Sequence, residues 1–221
     1  MMLALEIFVC AVLLACGYVG VCCYFNNTKL TEINFGLLKL NKKRVAYLTV
    51  GAVSVAILLW CLHQLYSIDT LGILNLASLV LVILPAAAVD YKQQKIPNIF
   101  LLAGLIIRCV FFVISYVKDF DGAWTITKDS LIGAAVIGLF FLLLLVIFKD
   151  SIGMGDVKLF ALMGLYQGLW GVINSVFFSL LVSFFLSIGL LITKKKGRKD
   201  TISFGPSIYL GTIIAICMAG M

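Results

Sequence analysis

Two aspartates offer the chemistry that stands out in this sequence. Asp156 lies between a Gly-x-Gly turn and an apolar stretch, in the segment 153–158 (GMGDVK), and Asp90 ends another apolar run. Acids at a membrane boundary are expensive to bury and are therefore functional candidates. Two close carboxyl groups share one proton, so one can activate water while the other polarises a carbonyl group. We therefore predict that Asp90 and Asp156 form one site that can hydrolyse a peptide bond.

The residues around Asp156 suit such a site. Gly153 and Gly155 would allow a backbone or a substrate to approach the carboxylate closely. Lys158 lies two residues further along, so on a helix its side chain points to a different face from that of Asp156. We expect it to extend towards lipid headgroups or substrate. A lone aspartate at such a boundary would more readily be a helix N-cap or a loop charge. On these residues alone, both interpretations stand.

The composition excludes an ordinary soluble domain. Hydrophobic residues make up 63% of the chain and charged residues only 12%, whereas soluble domains carry roughly a quarter. The net charge of +7 does not indicate nucleic acid binding, because the basic residues collect in short loops between apolar runs. The seven cysteines include no Cys-x-x-Cys pair. They are predicted to be small buried hydrophobic residues, with no metal site and no disulfide framework.

The apolar runs predict an all-α, polytopic membrane helix bundle of about eight spans. The run after Val157 would be about 55 Å long as one helix, against a hydrocarbon core of about 30 Å, so we divide it at a turn. We expect Asp90 to open the loop 90–98 and Pro97 to occupy the first turn of the next helix. The predicted spans are about 3–25, 45–66, 71–89, a fourth that follows the loop and ends near 117, 130–148, two within 157–193 divided near 167–174, and 204–219.

The distribution of positive charge orients this bundle. With eight spans, four loops share one side and hold 14 of the 17 basic residues: 26–44, 90–98, 149–158 and 194–200. By the positive-inside rule this side is cytoplasmic and both termini lie outside. Asp90 and Asp156 therefore fall on the same, cytoplasmic face. The basic run 194–199 is expected to anchor the topology and attract anionic lipid.

These motifs resemble those of the type IV prepilin peptidases, bacterial intramembrane aspartyl proteases of the Gly-x-Gly-Asp (GxGD) type. The segment 153–159 is similar to their Gly-x-Gly-Asp-x-Lys signature, and Asp90 with Pro97 seven residues later resembles their first catalytic segment. Gly205 and Pro206 lie in a Phe-Gly-Pro segment similar to the family's C-terminal one. The similarity covers about residues 72–220.

The resemblance implies a function. Asp90 and Asp156 would be the catalytic pair of an aspartyl endopeptidase in the bacterial cytoplasmic (inner) membrane. Its substrate would be a prepilin or pseudopilin whose basic leader is cut at the cytoplasmic face. Full-length members also carry a cytoplasmic loop with Cys-x-x-Cys zinc motifs, linked to N-methylation of the new terminus. Loop 26–44 has no such motif, so we expect the short form, without methyltransferase activity, zinc or S-adenosylmethionine.

The predicted organisation has two parts and leaves alternatives. Residues 1–70 would form two membrane helices joined by a short basic cytoplasmic loop, and 71–221 the catalytic membrane domain. One alternative is a transporter or pilus-assembly protein that uses the acids for proton or cation handling. Another is a protease of the signal-peptide-peptidase type, although its Tyr-Asp and Pro-Ala-Leu motifs are absent. His63 is expected to be an ordinary interfacial residue, and Arg108, within a span, needs a partner or a water-filled cavity.

Overall fold

A computed structural model describes residues 2–26, 42–66, 68–148, 153–192 and 203–219, and within these ranges it contains helices and no strands. Six helices are long and apolar enough to cross a membrane. The predicted all-α polytopic bundle is therefore confirmed. The helices are α1 (Met2–Asn26), α2 (Lys42–Cys61, continued by a π-helical turn at Leu62–Tyr66), α3 (Thr70–Gln93), α4 (Asn98–Lys118), α5 (Phe120–Ile147), α6 (Met154–Ile192) and α7 (Gly205–Ala219).

The α6 helix is interrupted, as its length predicted. Its 39 residues would measure about 58 Å if straight, but Gly168 has φ 69° and ψ −171°, which is not helical. The break divides α6 into a short first segment, 154–167, and a longer second segment, 169–192. The predicted division near 167–174 is confirmed. With α6 counted as two segments and the 15-residue α7 added, the described part of the chain has eight apolar segments.

The α3 helix is the centre of the bundle. In its most apolar stretch, 89% of the residues are buried, whereas the corresponding share is 39% or less in the other five candidate spans. It contacts α1, α2, α4, α6 and α7, and its buried side chains form much of the main hydrophobic core. Asp90 lies near the end of this helix. The fold therefore brings the carboxylate to the axis of the bundle rather than to its lipid-facing surface.

The first segment of α6 packs closely against α5. A Cβ added to Gly164 would lie 2.6 Å from the backbone N of Ala134, and one added to Gly133 would lie 2.5 Å from the carbonyl carbon of Gly168. Such contacts require glycine, because real Cβ atoms do not approach that closely. The Gly164-x-x-x-Gly168 motif thus brings α6 against α5, and not directly against α3.

Two predicted boundaries differ from the structure. The α5 helix begins at Phe120 rather than near Ser130, so Asp121 and Asp129 are helical and only Asp119 separates α4 from α5. Asp119 accepts the N–H of Ala123 through its carbonyl group, which starts the helix ten residues before the continuous apolar run. Most of the basic loop predicted at 26–44 and all of the run 194–200 lie outside the described residues.

Candidate active site

The last turn of α3 holds Asp90. The sequence placed this residue at the start of a loop, and that boundary is wrong. Asp90 is inside the helix, and its carbonyl accepts the N–H of Gln94 at 2.8 Å. Gln94 has left-handed backbone angles, φ 53° and ψ 37°, a common way for a helix to end. The connection to α4 is therefore only 94–97, and the Asp90 side chain, 6% exposed, points into the bundle.

The start of α7 holds the carboxylate of Asp90. The backbone N–H of Gly205 donates to Asp90 Oδ2 at 2.7 Å, and the backbone of Phe204 is also close to this carboxylate. A Cβ added to Gly205 would lie 2.9 Å from both Cβ and Oδ2 of Asp90, so a larger residue would not fit. Pro206 follows in the first turn of α7, where no N–H is required.

The position of Asp90 in the last turn of α3 is electrostatically unfavourable for that helix. A negative charge near a helix C-terminus opposes the helix dipole, and burial adds to the cost. The N–H of Gly205, at the positive end of α7, offsets part of that cost. Asp90 therefore does not cap or stabilise its own helix. The N-cap or loop-charge interpretation considered from the sequence does not describe Asp90.

Asp156 occupies the first turn of α6. The carbonyl of Gly153 accepts the N–H groups of Asp156 at 3.0 Å and Val157 at 3.4 Å, which starts the helix. The backbone of Gly153 in turn lies against the Asp156 carboxylate: a Cβ added to Gly153 would be 3.1 Å from Oδ2. Asp156 is partly buried and interacts electrostatically with Asp90. The structure thus brings together the two aspartates that the sequence singled out.

The connection 94–97 packs against the Gly-x-Gly turn. A Cβ added to Gly155 would lie 2.9 Å from the Cβ of Ile96, so glycine at 155 allows α6 to approach this connection. Pro97 is the N-cap of α4, with φ −68° and ψ 133°, and not part of its first turn, which begins at Asn98. The prediction for Pro97 was wrong by one position, since its extended ψ precedes the helix.

Lys158 is exposed and donates to the side chain of Asn98, with Nζ and Oδ1 3.1 Å apart. This contact links the first turns of α6 and α4. The reach towards headgroups or substrate expected from the sequence stays a prediction. Asn98 is a site residue whose role the sequence did not indicate. We call the region formed by the last turn of α3 and the first turns of α4, α6 and α7 the aspartate end of the bundle.

A buried polar contact lies away from the aspartate end. Glu6 on α1 is fully buried, and its Oε2 lies 2.7 Å from Nε2 of His63. Its Oε1 has no hydrogen-bond partner in the part of the chain that the structure describes. His63 is therefore the partner of a buried acid, in the π-helical turn that follows α2. The rule that flagged Asp90 and Asp156 would also have flagged Glu6, an acid inside an apolar run.

The chemistry available at the aspartate end is that of two carboxyl groups. Within the described ranges, no group of three or more His, Cys, Asp or Glu side chains could hold a metal ion. The sequence has no Cys-x-x-Cys motif that would fit the zinc loop implied by the resemblance. A close pair of carboxyl groups favours retention of one proton between them and titrates as a unit. Such a pair can act as a general acid and a general base on one bound amide.

Comparison with known proteins points to one family. The model of the type IV leader peptidase family matches residues 76–192, more than half of the 221 residues. A prepilin leader peptidase/N-methyltransferase of Bacillus subtilis is 31% identical over 86 residues, which are 39% of this chain and 35% of that protein. One of Pseudomonas putida is 28% identical over 140 residues, 61% of this chain and 46% of that protein. The matches span less than half the length of either relative. No solved structure matches the chain significantly.

Proposed function

Since this chain belongs to the type IV leader peptidase family, we propose that it is a membrane aspartyl endopeptidase that removes the basic leader from type IV prepilins or pseudopilins. The observation that carries the proposal is that Asp90 and Asp156 both lie at the aspartate end of the bundle, where they interact electrostatically. Each carboxylate lies against the backbone of a glycine at a helix start, Gly205 for Asp90 and Gly153 for Asp156. Both acids, and Lys158, fall within the matched range.

The proposed mechanism is direct attack by water. One carboxyl of the pair is ionised and takes a proton from a water molecule as its oxygen attacks the scissile carbonyl carbon. The other, protonated carboxyl gives its proton to the carbonyl oxygen. When the tetrahedral intermediate collapses, the C–N bond breaks, the first carboxyl returns its proton to the leaving amine, and the second regains one from the intermediate. No acyl-enzyme forms, and the pair ends in its starting protonation state.

The proposed location is the bacterial cytoplasmic membrane, with the aspartate end facing the cytoplasm. The four loops assigned to that side hold 14 of the 17 basic residues, which the positive-inside rule places in the cytoplasm. A prepilin leader, being basic, is held on the same side before cleavage. The basic loops also favour contact with anionic lipid headgroups.

We assign the two activities named for the relatives differently. The peptidase is proposed for this chain because both acids are present. We do not propose N-methyltransferase activity, or binding of zinc or S-adenosylmethionine, because the 221 residues include no Cys-x-x-Cys motif. In this proposal residues 71–221 form the catalytic domain, and residues 1–70 support it through the packing of α1 on α3.

The proposal is tested with purified protein in detergent and a synthetic prepilin N-terminal segment, with the new N-terminus identified by mass spectrometry. Wild-type protein is expected to release the leader, and Asp90→Asn and Asp156→Asn each to abolish release while remaining membrane-inserted. Asp69→Asn is the matched control, since Asp69 is an exposed acid at the opposite end of α3, paired with Lys118. Cleavage by either active-site variant would refute the aspartate pair. Proton or cation flux in proteoliposomes without cleavage would instead support a transporter.

A further inference from the structure

Arg108 is a buried cation near the middle of α4, at 4% exposure, and it lies far from the ends of its helix. A charge in this position needs strong polar partners. Its guanidinium donates to the carbonyl of Leu165 at 2.7 Å, to Oδ1 of Asn75 at 2.7 Å and to Oγ of Ser130 at 3.0 Å. The described residues form two ion pairs, and Arg108 takes part in neither. Its charge is therefore matched by dipoles rather than by a carboxylate.

The strongest of these dipoles is the end of the first segment of α6. A helix that stops at Gly168 leaves the carbonyl groups of its last turn without intrahelical partners. Arg108 donates to one of these carbonyls, that of Leu165, and Nδ2 of Asn75 donates to the next, that of Tyr166, at 3.0 Å. The C-terminal end of a helix is negative, so a buried guanidinium is favourable there. Asn75 and Arg108 thus cap the broken helix.

These bonds join three helices at the end of the segment that begins with the Asp156 turn. Asn75 is on α3, which also carries Asp90, whereas Arg108 is on α4 and Ser130 on α5. The hydroxyl of Tyr166 adds a further bond to α4, to the carbonyl of Gly104 at 2.7 Å. The segment 154–167 is therefore fixed at one end by polar bonds to α3 and α4, and carries Asp156 at the other.

The axial position of so short a helix depends on directional polar contacts as well as on apolar packing. The segment 154–167 is about 21 Å long, and it meets α5 through glycine at Gly164 and Gly133. Hydrogen bonds to specific carbonyls add a directional restraint that these glycine contacts do not provide. The height of Asp156 relative to Asp90 then depends on the bonds of Asn75 and Arg108 at one end of the segment, together with the exposed Lys158–Asn98 contact at the other.

We propose that Asn75, Arg108 and Ser130 form a polar clamp that holds the first segment of α6 in register with α3, and that Arg108 is a positioning residue for the aspartate pair. This role rests on the proposed peptidase function. It differs from general support of the bundle because it predicts an effect on turnover and on the distance between two particular side chains, beyond any loss of folded protein.

Cleavage kinetics test the clamp in purified, folded protein. Arg108→Met and Asn75→Leu are expected to lower kcat by about ten- to a hundredfold with little change in KM, because a displacement of about 1 Å is enough to misalign catalytic groups. The kcat of Arg108→Lys is expected to remain as low, because a single ammonium group cannot reproduce the hydrogen bonds of a planar guanidinium to three acceptors. The two limbs of the pH profile of kcat should also move closer together in these variants, because separating two coupled carboxyl groups weakens their mutual influence.

Tyr66→Phe is the matched control. The hydroxyl of Tyr66 also caps carbonyl groups at the end of a helix, those of Cys217 and Met218 in α7, at 3.1 and 2.8 Å. Its loss removes a comparable cap but leaves α6 untouched, so kcat per folded molecule should remain at the wild-type level. If Arg108→Met and Asn75→Leu behave like Tyr66→Phe, the positioning role is wrong.

A second measurement does not depend on cleavage. In a background whose seven native cysteines are replaced, Asp90→Cys and Asp156→Cys are joined by a short thiol cross-linker, and the linked peptides are quantified by mass spectrometry. Adding Arg108→Met or Asn75→Leu should reduce cross-linking severalfold, and adding Tyr66→Phe should not. Unchanged cross-linking overturns the clamp, whatever happens to kcat. Reduced cross-linking, combined with a wild-type protein that cleaves no prepilin, supports the clamp while refuting the proposed function.

Discussion

Gly205 and Asp90, which are 115 residues apart in sequence, meet through a 2.7 Å hydrogen bond from the backbone N–H of one to the carboxylate of the other. The bond places the positive end of α7 against an acid that lies at the negative end of α3. Asp90 is thereby buried at the centre of the bundle and kept beside Asp156. The third motif of the sequence, Phe-Gly-Pro, is thus structurally part of the same site as the two aspartates.

Gly205→Ala should therefore impair cleavage strongly. The new Cβ would meet Cβ and Oδ2 of Asp90 at 2.9 Å, and either α7 or the carboxylate must move. We expect kcat/KM to fall by about a hundredfold, the effect of a displacement near 1 Å. Gly189→Ala is the control, because a Cβ there has no heavy atom within 4 Å. Equal activity of the two variants would show that close approach at Gly205 is unimportant.

Gly155→Ala should be rescued by one particular second change. Its Cβ would lie 2.9 Å from the Cβ of Ile96, so α6 would be pushed away from the connection between α3 and α4. Ile96→Gly removes the opposing atom and should restore most of the lost cleavage, whereas Ile96→Ala retains it and should not. The check is kcat/KM for the single and double variants. If Ile96→Ala also restores cleavage, the defect is caused by the overall size of the Ile96 side chain and not by the contact at its Cβ.

Gly168→Ala should destabilise the protein. Gly168 has backbone angles that only glycine adopts readily, which costs other residues about 1–3 kcal/mol. A side chain there would also collide with the carboxylate of Asp129. Thermal unfolding in detergent should show a lower midpoint than for wild type or Gly189→Ala. Adding Asp129→Ala should restore only the part of the lost midpoint that is due to the collision. Full restoration of the wild-type midpoint would show that the backbone conformation of Gly168 is unimportant.

The Glu6–His63 contact predicts a non-additive pair of changes. His63→Leu leaves the fully buried Glu6 without the hydrogen-bond partner seen among the described residues and should cost about 1–3 kcal/mol of unfolding free energy. Combining it with Glu6→Met removes both polar groups, and the double variant should be more stable than His63→Leu alone. Denaturation of the single and double variants measures the difference. Additive losses would show that the pair is not coupled.

Several features of the fold follow from length and composition. Apolar runs of about 20 residues predicted the spans, and a run of 37 residues was too long for one crossing, which located the break now seen at Gly168. The order of the spans and the positions of the basic residues also put Asp90 and Asp156 on one face. These inferences succeed because the bilayer imposes one thickness on every span.

Helix ends were predicted less well, because they depend on local backbone bonds. Asp90 was expected in a loop, but α3 continues past it and ends only where Gln94 adopts a left-handed conformation. The start of α5 was placed ten residues too late, since Asp119 begins the helix in a polar stretch that hydropathy does not register. Pro97 was misplaced by one position for the same reason.

The sequence by itself determined an all-helical membrane protein, its two candidate acids and the family that it resembles. Only the tertiary structure decided which groups surround those acids: the backbone of Gly205, the side chain of Asn98, and the capping bonds that Arg108 makes to Leu165. The reason is physical. Hydropathy and charge reside in side chains and can be read along the chain, whereas a backbone N–H or carbonyl is present at nearly every residue and becomes distinctive only once packing brings it to a partner.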